Sequence, residues 1–412
     1  MQILMITRHF PPDRCAESFC AGKVAKALAD LGADVTVVTR RSPRHVEHGD
    51  KSFWWKELGV RICRVLSHDT RNWPRHPREL RGFWSLSSAL SNWWGVRAHT
   101  LCMRLLRKER FDIIFTRTLP LSAILIGAQL RKRFHVPWVA SITDPPIFFL
   151  CPPPYADGRA NSFSDRREFR WLRHALQLAD AFVFPHMRLC RYVSRVAGVE
   201  LQHKTTVVPH IGWKIDNVNA ERKTCDFKIL HSGSIMHRLS HRFLTAFSEI
   251  LRQDARIGNS VRLHFQGSSD ANLESSLQRA ELGNFFLVEQ RVHYEESLRS
   301  IDNASALLLM EAQLSEGIFL PSKLADYAVS GKPVLLCCPE LGVVSDLVGG
   351  YQHPGFLGQG DQVATRLKRF LAKAVVENAD LSDYAFPNPQ QFSPEEVGRQ
   401  LLDLFTSLSD NS

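Results

Sequence analysis

The sequence predicts an α/β protein built as two successive doubly wound parallel-sheet domains. Three observations carry this reading. Short apolar runs alternate with amphipathic stretches along the first 200 residues. A polar, weakly periodic stretch follows at 211–225. The same alternation then restarts and continues to about residue 385. Strands that read as continuous apolar runs separated by helices belong to parallel sheets covered on both faces.

In the first half, "QILMIT" reads as a buried strand and "RHFPPDRCAE" as the loop that follows it. Phe19, Val24, Leu28 and Leu31 fall at helical spacing, and Gly32 stands where a C-terminal cap is expected. "DVTVVT" is the second strand. "FDIIFT" (111–116), "PWVASIT" (137–143) and "DAFVFP" (180–185) are further strands, with helices predicted at 120–133 and 166–179. The half closes with "TTVVPH" (205–210).

The second half runs "FKILHSG", a helix at 240–253, "VRLHFQG", a helix at 270–282, "FFLVEQ", a short helix from Glu295, "SALLLM", and then "EGIFLPSKLADYAVSGKPVL". In that last segment Pro321 restricts the residue before it to extended backbone, so a helix is predicted to start at Ser322, whose hydroxyl can cap it. Gly331 ends that helix before the strand "PVLLCC". The final helix is predicted over 393–408, with Ser393 and Glu396 in a capping box and Pro394 at its first position.

Composition narrows the function classes. The 412 residues are 44% hydrophobic, enough for two cores. No apolar run reaches the ~18 residues that a spanning helix needs. The opening residues lack the zones of a signal peptide. Nine Cys, an odd number without a CxxC pair, argue for reduced thiols in the cytoplasm rather than a disulfide or zinc framework. The net charge of +10 is uneven. Residues 1–200 hold 32 Lys/Arg and 17 Asp/Glu (32 − 17 = +15), and the rest holds 20 and 25 (20 − 25 = −5). A basic first half suits an anionic partner.

Residues 71–110 concentrate that charge, with nine Arg/Lys, two Glu and four Trp (73, 84, 93, 94). Trp and Arg together suit an anionic membrane surface. The same mixture would serve single-stranded nucleic acid. No nucleic-acid-binding motif accompanies it, so the membrane surface is the expected partner and nucleic acid is not.

Candidate site residues cluster at strand-to-helix turns, where open α/β sheets bind ligands. The N-terminus of the helix at Ser322 favours an anion such as a diphosphate. Lys323 and Asp326 share one face of that helix and suit a phosphate and vicinal hydroxyls respectively. In "HSGSIMHR", Gly233 lets backbone approach a ligand, Ser234 offers a hydroxyl, and Arg238 suits a phosphate.

Four stretches, in family order, carry a resemblance: "RHFPPDRCAESFCAGKVAKALADLGADVTVVT", "FDIIFTRTLPLSAILIGAQLRKRFHVPWVASITDP", "KILHSGSIMHRLSHRFLTAFSEI" and "FLPSKLADYAVSGKPVL". The chain resembles glycosyltransferases of the family 4 type with the GT-B architecture, in which two Rossmann-like domains face each other across a cleft. The resemblance implies transfer of a sugar from a nucleotide-sugar donor to a glycan or lipid-linked acceptor in surface-polysaccharide assembly. It implies retention of configuration and no metal or cofactor. The implied organisation is an acceptor-side domain (1–210, with the insertion 71–110), a linker (211–225), a donor-side domain (226–385), and a C-terminal helical segment (386–412) packing back toward the first domain.

Carried over by position, Arg238 and Lys323 contact the diphosphate in catalysis, and Gly233, Ser234 and Ser322 line the phosphate site. Asp326 stands where the family usually has a Glu that holds the ribose. Glu316 lies near the family's other acidic position, although Ile318 occupies the matching spacing. Two departures stand out. The family's first-loop glycines are replaced by Cys15, Ala16 and Glu17, so either the acceptor geometry differs or Arg14 and Glu17 make new contacts on the acceptor side. Instead of a His near the reacting sugar the chain offers Asp144 and Arg117. Asp144 is expected to orient the acceptor, although an Asp before Pro145 also suits a turn. Two other readings remain open: a catalytically silent GT-B subunit that partners another transferase, and a sugar-nucleotide epimerase.

Overall fold

The computed structural model describes all residues except 42–48, 51, 53, 67–92, 119–120, 216–226, 236, 268–270, 280–284 and 411–412. Trp73, Trp84 and the first part of the 71–110 insertion therefore lie outside the described residues. So does most of the expected linker. The chain divides into two units, Met1–His210 with Pro394–Ser412, and Ile211–Ser393.

In the first unit seven parallel strands form one sheet in the order β3-β2-β1-β4-β5-β6-β7. They are β1 (Gln2–Ile6), β2 (Asp34–Arg41), β3 (Arg61–Leu66), β4 (Ile113–Arg117), β5 (Trp138–Ser141), β6 (Ala181–Phe184) and β7 (Thr205–Val207). Ile3 pairs with Val35 on one side and Ile113 on the other, so β1 is central. Its run Ile3 to Ile6 is fully buried, as expected of a strand covered on both faces.

Helix α1 (Ala16–Asp30) buries Cys20, Val24 and Leu28, and Gly32 follows at φ +87, a conformation that glycine takes without a Cβ penalty. The C-terminal helix, Pro394–Ser409, packs against α1 within this unit. A Cβ on Gly398 would stand 2.8 Å from Leu31 Cδ1, so the missing side chain sets how closely the two helices approach. The Phe405 ring lies 5.2 Å from that of Phe115 in β4.

Helix α2 (Trp93–Lys108) corrects part of the basic-arm reading. It packs on β2 and β3. Trp94, Ala98 and Cys102 are fully buried, so this stretch contributes a core-facing helix and the Trp94 ring belongs to the interior. Arg104, Arg107 and Lys108 are exposed on its outer side.

The second unit holds five parallel strands in the order β10-β9-β8-β11-β12. They are β8 (Phe227–Ser232), β9 (Val261–Gln266), β10 (Phe286–Glu289), β11 (Ala306–Met310) and β12 (Val334–Cys337). Phe243 and Phe247 of the helix His241–Gln253 stack at 5.8 Å in a core with Leu251, Phe370 and Tyr384. The expected linker begins as part of this unit: the Gly212 N–H donates to the Phe392 carbonyl at 2.8 Å, and Ile211 is buried. In this strand order the chain leaves β8 toward one side and β11 toward the other. Their C-terminal ends therefore bound the crevice of the topological switch point.

Candidate functional site

Four side chains from different elements meet at that switch point. Strand β8 delivers His231 and Ser232, both buried, and ends at Gly233. Gly233 has φ +104, and its N–H donates to the Gln266 carbonyl at 2.6 Å. A Cβ here would lie 2.9 Å from Lys323 Nζ and push the lysine's end aside, and the positive φ itself favours glycine.

Lys323 comes from the helix Ser322–Ser330, here α3, whose Leu324 and Tyr327 are fully buried. The Tyr327 hydroxyl accepts from the Ser232 N–H at 2.8 Å and fastens α3 to the end of β8. Gly331 closes the helix at φ +72, as the sequence suggests. Its N-cap is Pro321, without a side-chain cap hydrogen bond. Ser322 is therefore the first helical residue, and its predicted capping role is not what starts the helix. The fixed φ of proline already presets the entry.

Lys323 Nζ lies 3.0 Å from His231 Nε2, while His231 Nδ1 lies 3.0 Å from the Leu308 carbonyl. A carbonyl only accepts, so Nδ1 carries the hydrogen. Burial, then the neighbouring Lys323, hold the imidazole pKa well below its ordinary value, so the ring is neutral and Nε2 is a bare acceptor. Burial and then Arg238 also push the Lys323 ammonium well below the usual lysine range. Arg238, half-buried on the turn after β8, is within electrostatic reach of both. Gly233, Arg238 and Lys323 are thus brought together, and half-buried Ser234 belongs to the same turn.

Sequence reasoning missed two members of this cluster. His231 is a polar residue inside an apolar strand, and Glu311 follows the run "SALLLM" directly. A polar residue at the C-terminal end of a buried strand was the available signal. Glu311 is 6% exposed. Burial pushes its carboxyl up to about 7, against a hydrogen bond with Cys338 and the charge of Arg238.

Asp326 is buried on α3, and its Oδ1 accepts from the Trp213 N–H at 2.9 Å and the Tyr294 hydroxyl at 3.0 Å. This oxygen ties the start of the second unit to its helices. Glu316 lies half-buried in the loop between β11 and α3.

In the first unit, Glu17 makes its new contacts with Arg117 and Thr143. Arg117 Nε donates to Glu17 Oε1 at 2.9 Å, Nη2 reaches Oε2 at 3.4 Å, and Thr143 Oγ1 donates to Oε2 at 3.3 Å. The guanidinium is 4% exposed. The carboxylate that replaces a small first-loop residue needs this partner, since a buried charge is stable only when paired. Asp144 is half-buried within electrostatic reach of Arg117, and Arg14 is half-buried in the loop before α1. In the same loop His9 Nδ1 lies 3.1 Å from Asp13 Oδ2, which also accepts from Arg40 Nε at 3.0 Å.

Among the described residues no group of three or more His, Cys, Asp or Glu could hold a metal ion, and no helix is long and apolar enough to cross a membrane. The described cysteines are all free thiols.

No curated protein matches the chain. The fold is similar to that of HepE from Anabaena in complex with UDP and glucose, at 15% identity and TM-score 0.67 over 99% of this chain and 100% of that one. It is similar to sucrose-phosphate synthase from Thermosynechococcus elongatus, at 16% identity and TM-score 0.69 over 100% of both chains. The lipopolysaccharide outer core galactosyltransferase WaaB matches at 12% identity and TM-score 0.57 over 99% of both chains. Residues 18–210 match the family described as glycosyl transferase 4-like domain. The stretch 18–210 thus carries a glycosyl transferase 4-like domain, in a chain with the GT-B fold of these neighbours.

Proposed function

We propose that this protein transfers a sugar from a nucleotide-sugar donor to a glycan or lipid-linked acceptor in surface-polysaccharide assembly, with retention of configuration and without a metal or other cofactor. The observation that carries the reading is the meeting of Lys323, Arg238 and the side-chain-free Gly233 turn at the switch point of the second unit. Two cations and the N-terminus of α3 suit the charge that develops on a departing diphosphate. HepE in complex with UDP and with UDP-glucose supports a nucleotide-sugar as the ligand class.

In this reading Gly233, Ser234 and Ser322 line the phosphates, Asp326 and Glu316 serve the ribose and donor sugar, and Asp144 orients the acceptor beside Arg14, Glu17 and Arg117. The exposed Arg104, Arg107 and Lys108 support attachment of a cytoplasmic protein to an anionic membrane surface through residues 71–110. Co-sedimentation with anionic liposomes at low salt, lost in a variant with Arg104 and Arg107 changed to Ser, tests that part.

The purified protein, offered UDP-, GDP- and dTDP-sugars, is expected to gain thermal stability from one donor and to hydrolyse it slowly. No protection by any donor supports the silent-subunit reading instead. Conversion of a donor to its epimer without an acceptor supports the epimerase reading.

A further inference from the structure

Lys323 is the cation nearest the Gly233 turn, and it arrives on a four-carbon stem with many rotamers. Something must choose one of them. The Gly233 side offers no side chain, and Arg238 repels the ammonium. The partner that holds it is His231, which is 0% exposed and lies at the end of β8. The ring itself cannot turn freely. Its Nδ1 is bound to the Leu308 carbonyl on the adjacent strand β11, and its ring centroid lies 5.9 Å from that of Phe265. The orientation of Nε2 is therefore fixed by the sheet.

We propose that His231 is a positioning residue for Lys323: its bare Nε2 holds the side-chain nitrogen over the Gly233 turn, in place to meet the diphosphate of a nucleoside diphosphate before that ligand arrives. The proposal rests on the diphosphate reading above and adds a residue to it. A neutral acceptor suits this task better than a carboxylate. It fixes the direction of the amine without forming an ion pair with it, so the charge that the nitrogen takes up on binding is left to the phosphates. A fixed amine also loses less freedom on binding than a mobile one.

The arrangement makes binding pH-dependent in a defined direction. The groups facing Lys323 are His231 from β8 and Arg238 from the turn after it, while Glu311 at the end of β11 faces Arg238. Arg238 repels the ammonium, Glu311 acts only through Arg238, and His231 is uncharged. An anionic diphosphate reverses the balance and draws a proton onto Lys323. UDP affinity should therefore fall as pH rises through the free-protein pKa of Lys323, which burial has lowered.

The test uses the full chain and UDP, with binding followed by titration calorimetry between pH 6 and 10. His231→Leu removes the acceptor and lets the amine swing to water. UDP affinity should drop about tenfold at pH 7, the size of one charge-assisted contact. Its decline with pH should move to higher pH, because a hydrated lysine titrates nearer its ordinary value. His231→Gln, which restores an oxygen acceptor on a side chain of similar reach, should recover most of the affinity. A merely structural role for the ring would lower stability without moving the pH of the decline.

Lys323→Ala separates the two layers of the argument. If Lys323→Ala weakens UDP binding while His231→Leu leaves affinity and pH profile as in the wild type, the positioning role is overturned. If Lys323→Ala itself binds UDP as tightly as wild type, the diphosphate site is overturned and the positioning role with it. Should His231→Leu fail to fold, His231→Gln and His231→Phe measured across the same pH range decide: equal profiles for acceptor and non-acceptor rule the proposal out.

Discussion

Glu17 and Arg117 stand 100 positions apart in the chain and meet as a two-point ion pair, with Arg117 donating to both oxygens of Glu17. Their side chains are 10% and 4% exposed, so neither charge is well solvated. The pair joins the start of α1 to the end of β4, the strands' own switch point in the first unit. Removing one partner leaves the other buried and uncompensated, at a cost of about 3–5 kcal/mol. Glu17→Gln and Arg117→Met should each show that loss in urea unfolding of the whole protein. The double variant should recover much of it, because a neutral pair needs no counter-charge. Additive losses would mean that the two residues act separately.

Lys323 and Arg238 lie close enough that Arg238 depresses the Lys323 ammonium. Two basic groups this close in a half-buried site suit an anionic ligand. Lys323→Ala and Arg238→Ala should each weaken nucleoside diphosphate binding by tenfold or more, the scale of a charge-assisted hydrogen bond. Lys323→Ala also relieves repulsion in the free protein, so it should not lower thermal stability. Wild-type affinity in either variant would remove that residue from the site.

Much of this was legible in the sequence. The apolar runs of β1, β4, β8 and β11 announce strands buried on both faces, and Gly331 after "SKLADYAVS" announces the end of α3. Strand β3 was hidden because Arg61 and Arg64 interrupt "RICRVL". At the sheet edge its side chains are only half-buried, so no apolar run forms. Helix α2 was masked by its charges, which sit on the outer face while Trp94, Ala98 and Cys102 face the core. The turn chemistry that placed Gly233, Arg238 and Lys323 is local, and local rules read it. The pairing of Glu17 with Arg117 and the Asp326 bonds to Trp213 and Tyr294 depend on tertiary approach over long separations, about which spacing says nothing.

Glu311 gives the second unit a pH dependence of its own. Its carboxyl is raised to about 7 by burial, above the ordinary 4.5. The folded state therefore holds the proton more tightly than the unfolded chain between those values. Its contribution is fully present below pH 4.5 and is lost as pH rises through 7, by about 3 kcal/mol at about 1.4 kcal/mol per unit. Glu311→Gln keeps a neutral, similarly shaped group. It should match the wild type in urea unfolding near pH 4.5 and exceed it in stability at pH 8. A variant less stable than wild type at pH 8 would show that the carboxylate form is the favoured one.

His9 has the opposite chemistry and the same sign. Burial alone would lower its imidazole, but the hydrogen bonds with Asp13 and then Cys15 outweigh it and raise the pKa to about 9 from the ordinary 6.5. Its stabilisation is present below 6.5 and is lost as pH rises through 9, by about 3 kcal/mol at most. Asp13 is 5% exposed and also accepts from Arg40, so the loop after β1 is held by one carboxylate shared between two cations. Asp13→Asn removes the larger of the contributions that oppose burial and leaves that of Cys15. The His9 ring, followed by nitrogen-15 NMR, should then titrate lower than in the wild type, and the decline in stability between pH 7 and 10 should flatten. An unchanged His9 titration in Asp13→Asn would place the source of the shift elsewhere in the loop.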